Sequence, residues 1–251
     1  MLQFERSGEG TPVVLVHGIT ESRRSWDPLL ERLASSHDVI AVDLRGHGES
    51  EVMGPYDVIT LASDVHEVVE ALRIEKPLLI GHSLGGTVAS VYAAMYPCRG
   101  VVNIDQPMRL GDFQTSLRPI ESMLRGDDEA FQQAMTIVFE SMRGRADDVE
   151  WKRLASLRRA DHEVVLSIWA AVLEAEAEDL EAMVTSLASA ITVPYLSLHG
   201  TNPGEGYEDW LSNLVSGARI EQWQGAGHYP HLVEPERFFD LLAEFEASLE
   251  R

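Results

Sequence analysis

The chain has 251 residues, 45 % of them hydrophobic, and a single cysteine. That suits one large folded domain or a domain with a sizeable insertion, and it is too apolar for a disordered chain. The 20 Lys and Arg against 41 Asp and Glu leave a formal net charge of −21, a field that repels DNA and anionic lipid and excludes docking on either.

Along the chain, short β-rich runs alternate with helical periods. The opening MLQFERSGEG carries acids and no long apolar core, so it does not read as a secretory signal and a cytoplasmic protein is expected. Within it Leu2–Glu5 reads as a short strand, and there is room for at most one strand before Val13. Val13–Val16 is the next strand, ending at His17-Gly18, and Trp26, Leu29, Leu30 and Leu33 then share a helical face. Val39–Val42 is a strand, and Val65, Val68, Val69 and Leu72 mark a helix. Leu78–Ile80 runs into Gly81, and Leu84, Val88, Val91, Tyr92 and Met95 start a helix at once. The stretch Leu78–Tyr96 is the longest apolar one, but His82, Ser83 and glycines interrupt it, so no membrane span is expected. Cys98 follows in a turn with no intrachain partner, which excludes internal disulfides and fits a reducing compartment. Val101–Ile104 is a further strand.

From residue 107 to residue 190 the signals turn almost wholly helical. Phe131, Met135, Val138, Phe139 and Met142 form one stripe; Val165, Trp169, Val172 and Leu173 a second; Leu180, Val184 and Leu187 a third. The block predicts an inserted helical lid, with Glu174–Glu181 as a solvated face. Alternation resumes at Pro194–Leu198, ending in His199-Gly200, then Ala218–Trp223, then a terminal helix bearing Phe238, Leu241, Leu242 and Phe245. The expected fold is α/β: a mostly parallel open sheet with helices on both faces, built from residues 1–106 and 191–251, with 107–190 as the lid.

Gly81-His82-Ser83-Leu84-Gly85-Gly86 is the sharpest motif. A serine between strand and helix sits on a sharp turn with its hydroxyl outward, and glycines two residues either side leave the turn room to close. The helix beyond it aims free N–H groups at the site. Neither a phosphate-binding G-x-x-x-x-G-K-[ST] nor a dinucleotide turn is present. His228 lies between the last strand and the last helix, where a loop can carry an imidazole over the strand ends. His17, His47 and His199 stand beside glycines as loop organisers, His82 is expected to point aside, and His37, His66 and His162 read as surface or helix positions. His228 and His231 lack a third metal ligand, so no zinc site is expected.

In order, Val14-Leu15-Val16-His17-Gly18, Asp43-Leu44-Arg45-Gly46-His47-Gly48-Glu49-Ser50, the serine turn, and Gly225-Ala226-Gly227-His228 resemble the α/β-hydrolase superfamily, in its lid-bearing serine esterase-like branch, over nearly the whole chain. The resemblance implies Ser83 as nucleophile, His228 as base, and an oxyanion hole from the amides of Ile19 and Leu84. It also implies acyl transfer to water without metal or organic cofactor, on a small-molecule substrate.

The pattern departs from the family at the third catalytic group. Many members carry an acid about three residues past the equivalent of Gly200; this chain has Thr201-Asn202-Pro203-Gly204. Other members resemble this chain in placing the acid after the strand that ends here at Asp105, so Asp105 is the expected acid, with Glu205 second. The competing reading of Asp105 is a turn or cap residue opening the lid, and Asp43 is expected to support a loop. Most lid Met and aromatic side chains read as packing; Met108 and Phe113, nearest Asp105, are the candidate pocket residues. The same parts also serve C–C bond hydrolysis, thioester cleavage, acyl transfer or cofactor-free oxidation, and a non-catalytic ligand-binding role is the remaining class. A homo-oligomer is compatible with the sequence.

Overall fold

The computed structural model describes residues 1–249. Seven strands form one sheet: β1 (Phe4–Ser7), β2 (Thr11–Val16), β3 (His37–Val42), β4 (Leu78–His82), β5 (Gly100–Ile104), β6 (Tyr195–His199) and β7 (Arg219–Gln222), in the spatial order β1-β3-β2-β4-β5-β6-β7. Only β1 runs antiparallel to its neighbour; every other pairing is parallel. The strands β2 to β6 are short apolar runs because both faces are covered. Val13, Leu15, Leu78, Ile80, Val102 and Leu196 face one layer, with α1 (Asp27–Ala34) and the last helix, α11 (Pro235–Leu249). Val14, Val16, Leu79 and Val101 face the other, with α2 (Val58–Ala71) and α3 (Leu84–Met95).

Between β5 and β6 the chain forms α4 (Gly111–Leu117), α5 (Glu121–Leu124), α6 (Asp128–Ser141), α7 (Asp148–Leu157), α8 (His162–Glu174) and α9 (Ala177–Ser189). Aspartates start three of them: the side chains of Asp127, Asp147 and Asp161 accept from the amides of Ala130, Glu150 and Val164, satisfying donors that a helix leaves free. Part of the acidic composition therefore serves as helix caps. The apolar stripes of α6, α8 and α9 join the core on the α3 side of the sheet.

The strand bounds differ from expectation by one or two residues. The first strand is Phe4–Ser7, two residues later than Leu2–Glu5, because its partner is Val39–Val42 and Leu2 packs into the core instead. The last strand is the shorter Arg219–Gln222. The helix α10 (Tyr207–Leu214), after a left-handed Gly206, was not expected, although Tyr207, Trp210, Leu211 and Leu214 recur at helical spacing and pack on the core.

Candidate active site

The strand β4 ends in a turn on which Ser83 takes φ 52°, ψ −123°, a strained conformation for a residue with a side chain. A Cβ on Gly81 would overlap the Gly85 carbonyl, and one on Gly85 would overlap that of Val16. The glycine spacing thus allows α3 to begin directly behind the serine and against β2. Ser83 lies on a cavity of about 540 Å³, shared with Asp105, His228, Ile19 and Leu84.

The loop after β2 runs beside the serine: a Cβ on Gly18 would stand 3.3 Å from Ser83 Cβ. Ile19, next along that loop, and Leu84 line the same cavity as the serine. Asp105 follows β5, itself at φ 51°. One carboxylate oxygen accepts from the amides of Gly200 and Thr201, at 2.7 and 2.9 Å, and the other is 2.7 Å from His228 Nδ1. Burial alone would raise the Asp105 carboxyl; the His228 ring and the Thr201 amide outweigh it and hold the group at about 2. Burial lowers the His228 imidazole below its ordinary value, partly offset by Asp105. At neutral pH the pair is carboxylate and neutral imidazole, with Nδ1–H donating to Asp105 and Nε2 left free. Among the described residues neither Ser83 Oγ nor His228 Nε2 has a hydrogen-bond partner, and both residues line the same cavity.

Of the rival acids, Glu205 is exposed, with no hydrogen bond among the described residues, while Asp43 accepts from the amides of Arg23 and Glu49 and so ties its own loop. Met108 and Phe113 both line the cavity. His17 accepts from the Leu44 amide at 3.0 Å, His47 lies against the Arg45 carbonyl, and His199 against Ser197, as loop and core supports. His231 is buried against Trp26 and Phe238. Cys98 is buried, its thiol pushed up to about 11. Among the described residues no three His, Cys, Asp or Glu side chains are grouped to hold a metal.

A second buried cluster had no motif to announce it. Glu21 accepts from the Tyr229 hydroxyl at 2.5 Å and from the Gly18 amide at 3.3 Å. Arg158 donates to the same hydroxyl, and His82 Nε2 is 2.8 Å from the His228 carbonyl. From the helical segment, the Met142 carbonyl accepts from the His228 amide at 2.8 Å, and Gly144 crosses Gly227 backbone to backbone.

The sequence matches the alpha/beta hydrolase family over residues 13–241. The pimeloyl-[acyl-carrier protein] methyl ester esterase of Nitrosomonas europaea is 26 % identical, the match covering 96 % of this chain and 99 % of the relative. A thermophilic esterase from Thermogutta terrifontis superposes with a TM-score of 0.79 at 27 % identity, covering 100 % of this chain and 94 % of that one. The enol-lactonase from Burkholderia xenovorans shares the fold, with a TM-score of 0.81 at 22 % identity over 98 % and 96 % of the two chains. Among the described residues no helix is long and apolar enough to cross a membrane. The strand order, the helices on both faces and the matched span together make this chain a member of the alpha/beta hydrolase family.

Proposed function

We propose that the chain is a serine hydrolase that cleaves a carboxylic ester of a small, largely apolar substrate through an acyl-enzyme. The observation that carries this reading is the Asp105–His228 pair, which leaves a neutral imidazole nitrogen free in the cavity that holds Ser83. His228 Nε2 takes the Ser83 proton as Oγ attacks the ester carbonyl, and the amides of Ile19 and Leu84 receive the negative oxygen. His228 then passes the proton to the departing alkoxide. Water, deprotonated by the same nitrogen, attacks the acyl-enzyme and releases the acid, returning the proton to Ser83. Each oxyanion donor is worth on the order of 3–4 kcal/mol of barrier.

The helices of residues 107–190 act as the lid in this reading, since Phe139, Met142, Ile168, Trp169 and Val172 close the cavity over the sheet. Apolar side chains dominate the lining. The cation among them, Arg109, is set against Glu181 at 3.5 Å and shares the cavity with Asp112. A neutral substrate fits this surroundings better than a dicarboxylate.

The test is release of p-nitrophenol from p-nitrophenyl butyrate by wild type and Ser83→Ala, with a fluorophosphonate and intact-mass analysis alongside. Turnover and a single phosphonylation, both lost in a folded Ser83→Ala, are expected. Turnover that survives in Ser83→Ala, or a wild type that neither turns over nor reacts, would overturn the assignment and leave a different bond or a binding role.

A further inference from the structure

The cavity is not a compact hollow around Ser83. Its floor follows α3, where Leu84, Thr87, Val91 and Met95 all line it. Their spacing of three, four and four residues keeps them on one helical stripe. Eleven residues at helical rise carry that stripe about 16 Å from the serine turn. Met95, at the far end of the stripe, is 45 % exposed; Ile59 of α2 and Met183 of α9, elsewhere in the lining of the same cavity, are 56 % and 47 % exposed. A large apolar side chain left in water where a cavity's lining stripe ends marks an opening with an apolar lip. The cavity is thus a groove with the reacting serine at one end and an apolar mouth at the other.

We infer that this groove binds the unbranched acyl chain of a medium-chain ester, on the order of ten carbons; the inference rests on the serine hydrolase reading for its chemistry. The chain belongs to the acyl side. The alkoxide must leave within reach of His228, whereas the stripe begins at Leu84, whose amide faces the carbonyl oxygen, and runs along α3 from there. Because the mouth is open, a tail that outgrows the groove projects into water instead of meeting a wall.

The experiment is kcat/KM for p-nitrophenyl esters from acetate to decanoate. Each added methylene is expected to raise it by up to about fourfold, levelling off near the decanoate without collapsing. Thr87→Trp, one turn from the serine, should cut the octanoate-to-acetate ratio more than tenfold. Met95→Glu, at the mouth, should cut the decanoate-to-butyrate ratio and affect the octanoate-to-acetate ratio less. Ratios within one variant cancel any loss of folded protein. A flat or falling series, or ratios that neither variant moves, would overturn the groove while leaving the esterase. A series of alkyl acetates that climbs while the acyl series stays flat would overturn the acyl placement.

Binding of n-alkanols to Ser83→Ala, followed by calorimetry, separates the groove from the chemistry. Affinity that climbs with chain length upholds the groove even in an inactive protein. Affinity that does not climb refutes it even in an active one.

Discussion

Tyr229 donates its hydroxyl to the buried carboxylate of Glu21 at 2.5 Å, joining two residues 208 apart in the chain. Glu21 in turn receives the amide of Gly18, next to the proposed oxyanion donor Ile19, while Tyr229 is next to the proposed base. Burial alone would raise the Glu21 carboxyl, but His82 and Tyr229 outweigh it and hold the group well below the usual carboxylate range. Tyr229→Phe leaves that buried charge short of a donor. A loss of about 2 kcal/mol is expected, read as a fall in Tm of several degrees. Lower kcat with little change in KM should accompany it, since the loop it steadies carries the proposed oxyanion donor Ile19.

Asp105→Asn should lower kcat on the order of 10³- to 10⁴-fold with KM nearly unchanged, because an amide cannot hold the Nδ1–H tautomer. Stopped-flow or steady-state rates on the butyrate ester measure this, with circular dichroism to verify the fold. Glu205→Gln, altering an exposed side chain, should leave kcat within about twofold of wild type. Reversal of the two effects would move the acid to Glu205.

The pH profile follows from the lowered His228 imidazole. The base works only when neutral, and a depressed pKa keeps it neutral below the ordinary value. The acid limb of kcat/KM should therefore have its midpoint under pH 6.5. A midpoint above 6.5 would mean that the Asp105 charge outweighs burial.

Stability should fall steadily as the medium is acidified from pH 7 to 4. Burial lowers His17, His228 and His231, and brings His47 and His199 to about 4. In each case the unfolded chain binds the proton first, so folding loses on the order of 1.4 kcal/mol per pH unit per histidine between pH 6.5 and the folded value. Below the ordinary carboxylate values Asp105 and Glu21 add losses of the same sign. His37, raised by Glu246, opposes them and favours the folded state on the acid side. Thermal melts at pH 7, 6 and 5 decide the balance.

Gly227→Ala should cost far more than Gly225→Ala. Both glycines have positive φ, but a Cβ on Gly227 would stand 2.6 Å from Gly144 Cα, whereas the nearest atom to one on Gly225 is Arg145 Nε at 3.9 Å. The Gly225 variant should lose about 1 kcal/mol and keep its activity. The Gly227 variant should shift the His228 loop and lose most turnover, which melts and ester assays on both proteins would separate.

The sheet was legible because its signals are local. Runs such as Val13–Val16 and Leu78–Ile80 declare buried parallel strands, and the two glycines around Ser83 declare a turn no larger residue permits. Asp105 stood out by its position at a strand end, and its bond to His228 follows from β5 and β7, on either side of β6, delivering both loops to one edge. Glu21, Tyr229 and Gly144 carry no such local mark. Their partners lie at residues 229, 21 and 227, and their roles exist only once the chain is folded. The groove escaped for a similar reason: the stripe on α3 reads as core packing until the fold leaves it lining a cavity, with Met95 exposed at its end.

The bond from His228 N to Met142 O, with the Gly144 and Gly227 backbones in contact behind it, bears on how this enzyme can be rebuilt. Exchanging the helices between β5 and β6 for those of a relative is an obvious route to a new substrate preference. Here such a graft removes the acceptor that seats the histidine, so a recipient needs residues 142–145 kept with the host body. The helices are separable as sequence but not as parts: the stretch that closes over the cavity also anchors the proposed base.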